Sequence, residues 1–466
     1  MQQSDWTVRH TDRKEVRTLY FRYLIPTVVG MVAHSCYCLA DVFFVGMAQG
    51  ENGLAALNVA LPIFTIYTTV SVSIGVGAST TISILRGSGE TKEQDKVFTQ
   101  AFLLTLLIGI LFSAVGTFFL GELADFFGAT PLIRQSVIDY LQPISIGSFI
   151  YLLSSALSII VRGDGNPRLV MVAGTVGNLT NIALDYVFVM RMGMGIFGAG
   201  LATIIGPCVT AGFLSLHFLL KRNEIRFTRR FFSPKLLART LKNGLGSGVL
   251  EISSGVVILL FNLVLLRVSG EAAVAVFSII SNIGYVAKGI FGGMAQAAQP
   301  IISVSFGAGW LGRMRLVNRY ALVTSAVFSL VVYGVLWLFP GSIIGAFVSP
   351  SPEILEMGIP AVLLYFSSLP FTGLNTVLMY YFQSTEHVKL SACIAALRGV
   401  VLVAAALQLF SAWWGLTGVW LSLLAAEAIT FLIFYPLSLA GDRRLLQKSR
   451  RASHGERKPS EETADE

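Results

Sequence analysis

The chain has 466 residues, 54% of them apolar and 13% charged, with a mean hydropathy of +0.71 and a formal net charge of +8. A soluble domain carries about 25% charged residues, so the composition excludes an ordinary soluble globular protein. The apolar runs are continuous rather than alternating, which excludes a strand-rich membrane barrel.

Twelve such runs follow one another, at roughly 18–47, 54–85, 98–121, 134–161, 169–190, 197–220, 241–268, 272–305, 320–347, 354–383, 390–411 and 416–440. Each is long enough to cross a hydrocarbon core of about 30 Å as a helix. The sequence therefore predicts an all-α polytopic membrane protein of twelve transmembrane helices. The first run is too long for a signal-peptide core, so it is read as a retained helix after a polar tail, 1–17. Cys36, Cys38, Cys208 and Cys393 all fall inside runs and lack metal-ligand spacing.

Basic residues fix the orientation. If the N-terminus is cytoplasmic, all but six of the 34 Lys and Arg lie on cytoplasmic segments; Arg134, Arg191 and Arg267 lie outside, and Arg22, Lys288 and Arg398 fall within runs. The positive-inside rule then places both termini in the cytoplasm. The basic balance reports topology and not nucleic-acid binding, and the expected site is the cytoplasmic membrane of a prokaryote.

The sequence repeats at an offset of about 220 residues. Ile82-Ser83 and Gly87-Ser88-Gly89 match Ile302-Ser303 and Gly307-Ala308-Gly309, and Gly195-Ile196-Phe197-Gly198 matches Gly415-Leu416-Thr417-Gly418. Six helices per copy make two lobes related by a pseudo-two-fold axis along the membrane normal. The expected division is an N-lobe at 18–220, a cytoplasmic linker at 221–240, a C-lobe at 241–441 and a disordered tail at 442–466. The linker mixes Arg226, Arg229 and Arg230 with Phe227, Phe231 and Phe232, which suits either an interfacial amphipathic segment or a plain tether.

Four polar residues stand out within the apolar runs: Asp41, Asn181, Asp185 and Thr203. An ionisable group in lipid costs roughly 2.5–3.5 kcal/mol on insertion scales, so such groups face a cavity and act there. At about 1.5 Å per residue, Asp41, Asp185 and Thr203 all fall about 10 Å below the outer surface, on three different helices. Asn178, Asn181 and Asp185 share one helical face, as do His34, Tyr37 and Asp41. Two facing carboxylates repel, which favours binding of a proton or a small hard cation such as Na⁺ by Asp41 and Asp185, with oxygen ligands beside them.

Other residues carry two readings each. His34 and Tyr37 line a cavity or pack a helix contact, and Pro26 with Gly30 forms a hinge in the first helix or a passive kink. Glu251, Lys288, Arg398 and Glu427 lie near mid-membrane in the second copy, as paired structural charges or as a substrate site. The N-half constellation is not repeated, since Val401 and Ala405 stand where the offset places Asn181 and Asp185. No phosphate-cradling loop, histidine cluster or nucleophile–base pair points to an enzyme or to a cofactor.

Asp41-Val42-Phe43-Phe44-Val45-Gly46, then Leu54-Ala55-Ala56 and Pro62, resembles the first-helix signature of the multidrug and toxic compound extrusion family. Asn178–Tyr186, Gly198–Thr203, Gln299–Ser303 and Gly307–Gly309 resemble further parts of that family, and the resemblance covers about Leu19 to Ala440. It implies efflux of drugs and toxic organic cations, by a monomer in membrane lipid, in exchange for H⁺ or Na⁺. It also implies a cation site at Asp41, Asn181, Asp185 and Thr203, a bend at Pro26 and a C-lobe acid at Glu251. Some members carry an Asp on the tenth helix; this chain has no acid between 357 and 383. A flippase for a lipid-linked saccharide, built on a related two-lobe fold, is the alternative. It would need a cationic cavity for diphosphate, which the acids oppose.

Overall fold

The computed structural model describes residues 12–347 and 352–455, almost all of them helical. Among the described residues nine helices are long and apolar enough to cross a membrane by themselves. A bent pair, Arg134–Ile146 and Ser148–Gly163, kinked by 58°, adds a tenth span. Val388–Gly441 has 54 residues, about 80 Å as a helix, and so must cross twice. Its break is Gly415, at φ 56° and ψ −133°. Pro167–Asp185 with its π-helical continuation Tyr186–Arg191 supplies the twelfth.

The spans are α1 (Arg13–Gly50), α2 (Asn52–Gly87), α3 (Thr91–Phe118), the bent α4 (Arg134–Ile146 with Ser148–Gly163), α5 (Pro167–Asp185) and α6 (Gly195–Leu219). The second six are α7 (Pro234–Ser269), α8 (Glu271–Gly307), α9 (Leu311–Leu338), α10 (Pro352–Phe366 with Leu369–Ser384), α11 (388–415) and α12 (415–441). Local signals set the starts. Asn166 caps α5 by accepting from Leu169 N–H, Ser233 caps α7 by accepting from Leu236 N–H, and a proline follows each cap.

The repeat is written into the backbone. Gly195 and Gly415 share φ near +57° (58° and 56°), and Gly50 and Gly270, also 220 positions apart, both take positive φ at the α1–α2 and α7–α8 junctions. Residues with a Cβ avoid this region, so the sequence spends glycine at the same place in each copy.

The lobes meet through a contact that is its own image. A Cβ on Gly87 would stand 2.2 Å from the Val304 carbonyl oxygen, and one on Gly307 would stand 2.1 Å from that of Ile84. Gly87 and Ile84 lie 220 positions before Gly307 and Val304, so α2 and α8 cross at the pseudo-axis with backbones touching. Around this crossing Gln299 donates to Thr80 Oγ1 at 2.5 Å and Asn243 donates to Thr81 Oγ1 at 3.0 Å. The crossing lies at the end of the molecule that bears the basic loops.

Several boundaries differ from the sequence reading. Helix α1 begins at Arg13, and α9 begins at Leu311 instead of near 320, because a helix can project beyond the bilayer with charges on it. The tail read as disordered continues as helix to Gly455; the rest of it, like residues 1–11, lies outside the described residues. The linker packs along α3: Arg226 N–H donates to Asp95 and Thr228 N–H to Thr99, and the Phe227 ring lies 4.7 Å from that of Phe98.

Candidate functional site

One apolar cluster of the first lobe, including Val45, Leu141, Ile144, Val189 and Ile204, surrounds a small polar island. Helix α1 brings Asp41 to it, α4 Tyr140, α5 Asn181 and Asp185, and α6 Thr203. All five are buried. Tight packing holds α6 on α4, since a Cβ on Gly200 would stand 2.3 Å from the Tyr140 carbonyl oxygen. This contact places the Tyr140 and Thr203 side chains on the same carboxylate.

Tyr140 donates its hydroxyl to Asp41 Oδ2 at 3.1 Å. Thr203 Oγ1 lies 3.4 Å from Asp41 Oδ1 and 2.9 Å from the Ala199 carbonyl, so its single proton serves one of the two. Asp185 is different. Among the described residues neither of its carboxylate oxygens has a hydrogen-bond partner, nor have Oδ1 and Nδ2 of Asn181. Asp41 and Asp185 lie within electrostatic reach of one another. Leaving a buried carboxylate unpartnered is costly, so this island suits an added proton or cation. The donor set is all oxygen apart from the asparagine amide, which fits a hard ion. Among the described residues no group of three His, Cys, Asp or Glu is placed to hold a metal ion.

Directly after Asp185 the helix widens into the π-turn Tyr186–Arg191. Such turns are found at functional sites, where they re-aim side chains. Tyr140 is the member that sequence reasoning missed. A lone tyrosine in an apolar run is a weak signal, and its partnership with Asp41 spans 99 residues.

The other candidates fall elsewhere. Asn178 is half-buried on the same helix, one turn from Asn181. Helix α1 passes through buried Pro26 and through Gly30 with helical dihedrals. His34 and Tyr37 lie further along it, their rings 5.5 Å apart; His34 is exposed and Tyr37 half-buried. In the second lobe Arg398 donates to Glu427 at 2.8 Å and to Thr376 at 2.9 Å, while Asn375 donates to Glu427 at 2.7 Å. Those two charges form a satisfied buried pair. Glu251 and Lys288 make no such pair and stand half-buried and exposed.

The sequence profile of the MatE family matches residues 26–187 and 250–410, one segment in each lobe. This chain belongs to the MatE family. It is 24% identical over 427 residues to the multidrug export protein MepA of Staphylococcus aureus, covering 91% of this chain and 94% of MepA. Its fold is similar to that of a multidrug resistance MATE family transporter of the MOP superfamily, solved in an outward-facing conformation. The TM-score is 0.88 and the identity 25%, covering 93% of this chain and 97% of that one. A MOP superfamily transporter from Pyrococcus furiosus, described as having reverse polarity in its binding pocket, matches with a TM-score of 0.87 at 25% identity, covering 93% and 97%. These relatives are transporters, and the MatE chain here is a multi-pass membrane protein of the same two-lobe, twelve-helix architecture.

Proposed function

We propose that this MatE protein is a secondary active multidrug efflux antiporter. It exports amphipathic, positively charged compounds in exchange for H⁺ or Na⁺. The observation that carries this reading is the pair of buried carboxylates, one hydrogen-bonded and one bare: Asp41 bound by Tyr140 and Thr203, and Asp185 unpartnered beside Asn181. A proton or Na⁺ arriving at Asp185 and Asp41 relieves their repulsion, with Asn181 and Thr203 supplying oxygen. The substrate occupies the cleft between lobes, lined by His34, Tyr37 and Glu251. Helix α1 carries both Asp41 and the cleft face, so loading of Asp41 bends or straightens it at Pro26 and Gly30.

The lobes act as the units 18–220 and 241–441, tied by the linker at 221–240, with both termini in the cytoplasm of a prokaryotic cell. Each charge moved inward across 100 mV yields about 2.3 kcal/mol, enough for more than about tenfold accumulation of substrate against its gradient. No cofactor is needed.

The test is dye movement in proteoliposomes under an imposed pH gradient or an imposed Na⁺ gradient. Antiport predicts dye transport driven by one of them and abolished when the gradient is collapsed. Dye that fails to move under either gradient contradicts the proposal.

A further inference from the structure

The segment that joins the lobes is rich in unanswered charge. Residues 221–235 hold six bases, Lys221, Arg222, Arg226, Arg229, Arg230 and Lys235, against the single acid Glu224. Glu224 is already taken, by Arg86 of α2 at 3.1 Å. Arg226 lies within reach of Asp95 of α3. The other five bases are exposed and form no ion pair among the described residues. Turns on the same side balance their charges: 86–96 has three bases and three acids, and 385–389 has one Lys and one Glu. Topology asks for basic residues on this side of the membrane, not for their concentration in one segment.

The same segment lies at membrane level. The apolar run of α3 begins at Phe98, and the Phe227 ring packs 4.7 Å from that of Phe98 and 5.1 Å from that of Phe102. Three residues before Phe98, on the polar side, Asp95 accepts from Arg226 N–H at 2.9 Å. The boundary between hydrocarbon and headgroups therefore passes through the linker. Further along, α3 exposes Leu103, Leu107 and Leu111 in one stripe, as a lipid-facing helix does. Beside the bases, Leu219 and Phe232 are each 72% exposed. Apolar side chains interleaved with unpaired bases fit the junction of headgroups and acyl chains. The segment is also held in place: Glu224 N–H donates to Asp164 at 3.0 Å, and Gln100 donates to the Ser233 carbonyl at 3.1 Å.

We propose that residues 221–235 form a docking surface for anionic phospholipid headgroups of the cytoplasmic leaflet, centred on Arg229 and Arg230. The lipid phosphate faces the guanidinium groups, whose paired N–H donors match its oxygens. Phe232 and Leu219 enter among the acyl chains. A zwitterionic headgroup brings the same phosphate together with its own ammonium, so the surface favours lipids of net negative charge. Ser233 caps α7, the first helix of the second lobe, so a lipid bound here bridges α3 of one lobe and the start of the other. This inference stands apart from the efflux reading.

The test is lipid retention by the purified full-length protein, read by native mass spectrometry from detergent holding equal amounts of phosphatidylglycerol and phosphatidylcholine. Wild type should keep phosphatidylglycerol in preference by about tenfold or more. The double variant Arg229→Gln/Arg230→Gln should lose about tenfold of that preference, the worth of two cations at an anionic surface. Arg229→Lys/Arg230→Lys should keep most of it. Arg168→Gln/Arg319→Gln removes two exposed bases from the same side but outside the linker, and should leave the preference unchanged. Phosphatidylglycerol should also raise the Tm of wild type more than that of the Arg229→Gln/Arg230→Gln variant, whose melting in phosphatidylcholine reports that it is folded. Equal retention of the two lipids by wild type overturns the inference. So does an equal loss in the two glutamine variants, which would return the linker bases to the role of topology markers.

Discussion

Tyr140 Oη stands 3.1 Å from Asp41 Oδ2, and this one hydrogen bond ties α4 to α1 at the depth where α5 brings in Asp185. Asp41 is thereby held on one side, while the Asp185 carboxylate has no hydrogen-bond partner among the described residues. On the antiport proposal this asymmetry predicts different tasks: the ion is taken up first at Asp185, and Asp41 transmits its arrival to α1.

Replacing Tyr140 with Phe removes the donor and keeps the ring in its packing against Phe64, whose centroid is 6.2 Å away. A hydrogen bond to a charged group is worth about 1.5–3 kcal/mol, so gradient-driven transport should slow by about tenfold or more. Dye binding at equilibrium should be unchanged, because the hydroxyl lies in the first lobe's island and not in the cleft. Initial rates in proteoliposomes, set against anisotropy titrations, check this.

The α2–α8 crossing predicts a symmetric pair of conformational variants. Gly87→Val and Gly307→Val each push a side chain into a carbonyl oxygen little more than 2 Å away (2.2 and 2.1 Å). Each should part the helices at the end that carries the basic loops, and to a similar extent, because the two contacts are images of each other. Spin-label distances between α2 and α8 should lengthen in both variants. Lengthening in one alone would show that the crossing is not shared equally.

In the second lobe Glu427 neutralises Arg398 inside the membrane region. Glu427→Ala leaves a buried, uncompensated guanidinium and should cost about 3–5 kcal/mol, read as a large drop in Tm in detergent. Removing both charges with apolar residues of similar volume should recover most of the loss. A double-mutant cycle measured by thermal melting gives the coupling directly.

On the basic side, Glu386 in the turn between α10 and α11 accepts from Arg239 at 2.6 Å and from Asn243 at 3.0 Å. Burial alone would push this carboxyl up, but the Arg239 guanidinium and Asn243 amide outweigh it and hold it below its ordinary value. A depressed folded-state value contributes stability that is fully present above the unfolded value of about 4.3 and is lost as pH falls through the folded one. The Tm difference between wild type and Glu386→Gln should thus be constant near neutrality and shrink as pH falls below about 4.

Much of this was legible in the sequence. Apolar runs located the spans because a lipid core of fixed thickness demands about 20 apolar residues each time. Matching glycines announced the duplication because the φ of the Gly195 and Gly415 junctions is one that glycine takes far more readily than residues with a Cβ. Asp41, Asn181, Asp185 and Thr203 stood out because polar groups in lipid are conspicuous. Tyr140 did not, since tyrosine is ordinary in an apolar run and its partner is distant in the chain. Arg162 was hidden as well: it read as a loop charge at the end of α4, yet it is buried against Gln296 of the other lobe. Pairings between lobes depend on how two long helix faces meet, which the order of residues does not display.

The most direct test of ion coupling at this site runs the exchange backwards. Dye added to purified protein in weakly buffered detergent should release protons, or Na⁺ if that is the coupling ion, and the release is measured with a pH or Na⁺ indicator. Wild type should release ion with dye saturation, while Asp41→Asn and Asp185→Asn should bind dye and release none. Release that persists undiminished in both variants would place the coupling ion elsewhere and contradict the account.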